Sequence, residues 1–328
     1  MNIALQVPDT WSSINLMIKQ QLGLPDQANV MLFRGLHHAL MELSVGLFKQ
    51  FPHKKKAHFI DHGSPFFAPI MKNLSMDGYD VVKQPSHLLS DPIAAAAVTE
   101  TFSREDLCIF LAEDHPVTGK IFDPPPVKQP CLDKKVITVS VYHQGHRIQS
   151  LTQDLARHEM RIFHVDEDLA VMVSGARARC FAPVASGMLW SSSDLARVRS
   201  LFDPLNESPD WVAGFESSLP EGMRAYFPAT EKNRSWDRAV LIADGMDGEA
   251  VQWELLQLAG HKATKNEVCP MVETTSPSRW EHLRTFQWML DKDESFQSLR
   301  ELVIIDAAWA QSVPINDYLK QALQAVRK

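Results

Sequence analysis

Short apolar runs rich in β-branched residues recur along this chain, with stretches of helical spacing between them. That alternation constrains the fold more than any other feature. The runs at 30–33, 58–60, 79–82, 107–112, 136–142, 169–173 and 187–190 read as strands. The stretches at 35–51, 66–74 and 91–102 read as helices, the last opened by Asp91 as N-cap and Pro92 at the first helical position. The run at 107–112 is apolar throughout, so it offers no solvent face. Strands of that kind belong in a parallel sheet with helices on both sides. The pattern predicts an α/β fold with a mainly parallel sheet of about seven strands in a large domain spanning 28–203.

Asp203-Pro204 and the polar residues up to Pro209 mark a boundary. Beyond it, apolar runs at 239–243 and 302–305 and helical stretches at 248–259 and 315–326 predict a smaller α/β domain over 204–328. An amphipathic stretch at 11–24, within an N-terminal segment 1–27, is expected to pack on that smaller domain. With 328 residues, 45% of them hydrophobic, the chain can bury two such cores.

Charge and cysteine usage exclude several classes. A net charge of −7 and a pI of about 6.0 give no basic surface for nucleic acid. No run approaches the roughly 20 apolar residues of a membrane span. Residues 1–10 hold neither lysine nor arginine, so no signal peptide is expected and the chain reads as cytoplasmic. Cys108, Cys131, Cys180 and Cys269 lie far apart with no C-x-x-C pair, which indicates neither a disulfide framework nor a zinc site.

A series of small motifs then follows in a telling order. Phe33-Arg34-Gly35-Leu36-His37-His38 is a strand-to-helix turn, and Ile60-Asp61-His62 ends a strand. Leu111-Ala112-Glu113-Asp114-His115-Pro116-Val117-Thr118-Gly119 leaves the apolar strand at 107–112. The strand at 136–142 runs into His143-Gln144-Gly145. Ser174-Gly175-Ala176-Arg177-Ala178-Arg179 precedes Pro183 and Gly187. Val268-Cys269, Pro277-Ser278 and Ser298-Leu299-Arg300 occur near the end. In this order, from Val30 onward, the chain resembles the cysteine desulfurase branch of the fold-type I pyridoxal-phosphate enzymes, a group that includes the class V aminotransferases.

The resemblance assigns expectations residue by residue. Gly35 and His37 fall in the turn whose backbone N–H groups hold the cofactor phosphate, with His37 in a threonine position. His62 falls where a histidine stacks on the pyridine ring, although a histidine after a strand is as well explained as a surface residue. His115 falls where an asparagine bonds the phenolic oxygen. Ser140 or Val141 takes the position of the aspartate that keeps the ring nitrogen protonated, with Gln144 shortly after it. Arg177 or Arg179 takes the position of the lysine that forms the Schiff base, and no lysine occurs between Lys135 and Lys232. Arginine stays protonated and cannot replace it as a nucleophile. Two arginines in that turn can bind a phosphate or carboxylate, or simply face solvent. Arg300 corresponds to the arginine that grips the substrate carboxylate, and Cys269 to a nucleophilic cysteine, although nothing nearby marks it as more than a structural thiol. Gly260-His261-Lys262 mimics the lysine motif too late in the chain to leave room for a following domain.

These positions imply a pseudoenzyme: a homodimer of the family fold that has lost Schiff-base catalysis and acts by binding a small anionic ligand or a protein partner. Two alternatives stand beside it. One is an enzyme or sensor that holds pyridoxal phosphate or another anion noncovalently. The other is a metal-dependent enzyme built on His58, Asp61, His62, Glu113, Asp114, His115, His143 and His146, whose imidazoles and carboxylates suit zinc, iron or manganese. Ala57 and Phe59 interrupt the H-x-H-x-D-H pattern that would support the metal reading, and no G-x-S-x-G elbow suggests a serine hydrolase. Only 14 glycines occur, about 4% against a usual figure near 7%, which fits a relaxed cofactor site.

Overall fold

A computed structural model describes residues 11–60, 66–89, 91–103, 105–114, 121, 126–142, 155–156, 158–166, 168–175, 190–201, 209–226, 234, 238–258 and 301–327. These fall into two compact units. One runs from the first helix through the helix at 192–201, and the other from the helix at 209–216 onward.

The larger unit is built on seven strands: β1 (Asn29–Phe33), β2 (Lys56–Ile60), β3 (Asp80–Gln84), β4 (Asp106–Ala112), β5 (Ile137–Tyr142), β6 (Glu159–Asp166) and β7 (Leu169–Ser174). Their order in the sheet is β1-β7-β6-β5-β4-β2-β3. The pairs β2·β3, β2·β4, β4·β5 and β5·β6 are parallel, while β7 runs antiparallel to both β6 and β1. Six strands therefore point the same way, as the apolar runs predicted.

Alternation along each strand sends successive side chains to opposite faces. Phe59, Phe110, Val139 and Val141 meet α2 (Gly35–Gln50) and α3 (Phe67–Met76) on one face. Ile60, Ile109 and Leu111 meet Ala95 of α4 (Pro92–Glu100) and Cys131 of α5 (Lys128–Asp133) on the other. Asp91 caps α4 as its sequence suggests, accepting from Ile93 N at 2.9 Å and Ala94 N at 3.1 Å.

The N-terminal helix α1 (Trp11–Gln21) corrects one expectation. It belongs to the larger unit, where it buries Ile14 and Ile18 against Val30, Leu32, Phe163 and Val171 of the large sheet and against α6 (Ser192–Leu201). Its apolar stripe specifies that one face must be buried, but not which sheet covers it. The strand expected at 187–190 lies outside the described residues except for Trp190, which is not in a strand.

The smaller unit has a three-stranded antiparallel sheet ordered β10-β9-β8, from β8 (Met223–Ala225), β9 (Arg238–Ala243) and β10 (Leu302–Asp306). Around it lie α7 (Pro209–Glu216), α8 (Gly248–Leu258), α9 (Ala307–Ser312) and α10 (Ile315–Val326). α8 opens with Gly248 because a β-carbon there would collide with the carbonyl oxygen of Leu302.

Candidate functional site

The turn from β1 into α2 forms the first part of the site. Gly35 opens the helix with φ 82°, a conformation that disfavours any side chain. No side chain caps this end of α2, so its first N–H groups have no side-chain acceptor at the cap position. His37 is exposed on the first turn. His38 stands edge-on to Phe33 at 5.9 Å, and its Nε2 lies 3.8 Å from Glu42 Oε1. Arg34 turns to α6: its guanidinium lies 4.5 Å over the Trp190 ring and 3.4 Å from Asp194 Oδ2. Asp194 is buried, which opposes its ionisation. Hydrogen bonds from Ser191 and Arg197, with the Arg34 charge nearby, outweigh that cost and bring its carboxyl down to about 2. Arg34, Trp190 and Asp194 form a contact that the sequence pattern did not single out.

The second part lies where β4, β5 and β6 run side by side. Ser140 is fully buried on β5, opposite Arg161 of β6 and Leu111 of β4. Its hydroxyl donates to Glu113 Oε1, and the Tyr142 hydroxyl donates to Glu113 Oε2 at 2.6 Å. Lys128, at the start of α5, places Nζ 3.2 Å from Glu113 Oε1 and 2.7 Å from Glu159 Oε1. Arg161 completes the set, with Nε 2.7 Å from Glu159 Oε1. All of these side chains are buried. Two carboxylates meet two cations, so the group is balanced in charge, as buried ions must be.

Electrostatics within the group follow from that balance. Burial opposes the charge of Lys128, but Glu113 and Glu159 reverse the effect and raise its ammonium above the ordinary lysine range. Burial likewise opposes ionisation of Glu159, and Lys128 and Arg161 overcome it, holding the carboxyl below its ordinary value. Arg161 is raised in turn by Glu159 against its own burial. Of this network, sequence reasoning had singled out Ser140 for one role and Glu113 for another. Lys128, Tyr142, Glu159 and Arg161 carried no motif, although charged residues alternating at 159 and 161 are a signal of ionic pairing within a strand.

His58 does not join Glu113. Its Nε2 lies 2.6 Å from Asp106 Oδ1 and its Nδ1 3.0 Å from Gln84 Nε2, with the ring stacked on Phe102 at 4.4 Å. Both ring nitrogens are thus occupied within the sheet, which removes His58 from the set of candidate metal ligands. Asp106 is buried, and hydrogen bonds from His58 and Ser103 nonetheless hold its carboxyl low. Among the described residues no group of three His, Cys, Asp or Glu side chains can hold a metal ion. Asp61, His62, His115, His143, Gln144, His146, Arg177, Arg179, Cys269 and Arg300 lie outside the described residues. Lys135 sits exposed, with φ 61°, in the turn that enters β5. That is the opposite end of the strand from Tyr142. No described helix is long and apolar enough to cross a membrane.

No protein-family profile matches the sequence, and no curated protein does. Solved structures do match in fold. A NifS-like protein superimposes with a TM-score of 0.65 at 12% identity, over 96% of this chain and 87% of that one. A cystathionine gamma-lyase from Micromonospora echinospora gives 0.63 at 10% identity, over 99% and 91%. A phosphoserine aminotransferase from Cytophaga hutchinsonii gives 0.60 at 11% identity, over 96% and 87%. Identities this low speak for architecture alone. The chain has the fold of the fold-type I pyridoxal-phosphate-dependent superfamily.

Proposed function

We propose that this chain is a catalytically degenerate protein of the aminotransferase and cysteine desulfurase type, without a Schiff-base lysine, acting through ligand binding or protein association. The observation that carries this reading is the state of Glu113. By resemblance, Ser140 or Val141 stands where an acid would face a pyridine nitrogen; Val141 carries no acid, and the Ser140 hydroxyl is spent on Glu113. Glu113 is itself fully buried and gives both oxygens to Ser140, Tyr142 and Lys128. Among the described residues, then, this position offers no free acid, and the side chains do not fit pyridoxal phosphate in a catalytic role. The sequence adds that the segment after Ser174 supplies arginines, with no lysine between Lys135 and Lys232. Titration with pyridoxal phosphate should give an absorbance spectrum equal to the sum of protein and free cofactor. A new saturable band at one equivalent per chain would contradict the proposal.

One observation favours a second, compatible reading. The N-terminus of α2 has Gly35 in the left-handed region and no side-chain cap, which suits an anionic group held noncovalently, the phosphate of pyridoxal phosphate included. Orthophosphate or pyridoxal phosphate would then raise the melting temperature without a new absorption band; unchanged melting with both would remove this reading.

We also place the chain in the cytoplasm, since Cys108 and Cys131 are buried free thiols, and expect a homodimer with a two-fold interface. Light scattering at micromolar concentration should give twice the 37.0 kDa chain mass. A single-chain mass would contradict the dimer.

A further inference from the structure

We draw no further inference here: the strongest candidate, the exposed apolar face of α4 formed by Pro92, Ile93, Ala96 and Ala97, carries nothing because nothing in the structure shows what covers it.

Discussion

Lys128 Nζ lies 2.7 Å from Glu159 Oε1, and the same ammonium reaches Glu113 on the far side of β5. One cation on α5 thereby ties together the strands that flank β5, and it also closes the base of the segment that leaves β4 at Glu113 and returns at α5. Removing one member of a buried ionic group leaves the others uncompensated. Lys128→Met should therefore cost about 3–5 kcal/mol of stability, read as a lower urea midpoint. By contrast, Arg224→Met, which breaks the exposed pair with Asp244, should cost at most about 1 kcal/mol. Equal losses in the two variants would show that the buried network does not hold the sheet together.

Ser140→Asp tests whether the carboxylate position read from the sequence can be refilled. The new acid would abut Glu113 in a fully buried setting, where two like charges cannot both persist. The expected result is destabilisation of about 3 kcal/mol or more, largely relieved by adding Glu113→Gln. A Ser140→Asp protein as stable as the parent would mean that Glu113 is free to turn away.

Stability should fall at both ends of the pH scale. Asp194, Asp106 and Glu159 all have folded-state values below their ordinary 3.8, 3.8 and 4.5. Depressed values of this kind add stability above the ordinary value and lose it as pH falls through the folded one. For Asp194 that window runs from 3.8 down to about 2. Lys128 has the opposite sign. Its folded value lies above 10.5, so its contribution is complete below 10.5 and is lost as pH rises through the folded value. Urea midpoints measured across pH should decline in both windows, with a shallower acid slope for Asp194→Asn. A midpoint that rises on acidification from pH 3.8 to about 2 would contradict this assignment.

The sheet was legible where its strands are purely apolar. β4 and β7 are buried at every residue, and each stands out in the sequence as a continuous run. β6 escaped notice because Glu159, Arg161 and His164 break its apolar pattern. Glu159 and Arg161 are buried only because Lys128 and Glu113, distant in sequence, balance them. Pattern reading cannot see a partner supplied by another element. The same limit explains α1, whose stripe of Ile14 and Ile18 fits either unit. In the candidate site, Gly35 was legible because a strand-to-helix turn with left-handed φ demands glycine. The engagement of Ser140 was not, since its partner Glu113 lies just past the end of the neighbouring strand β4.

The central claim is that no lysine of this chain forms a covalent link with pyridoxal phosphate. Incubation with excess cofactor, borohydride reduction, intact-mass spectrometry and peptide mapping test it directly. The expected result is no stoichiometric adduct, with any trace labelling spread over exposed lysines such as Lys135. One equivalent of reduced adduct on a single lysine, whether Lys135, Lys232 or Lys262, would contradict the claim and make the chain an enzyme.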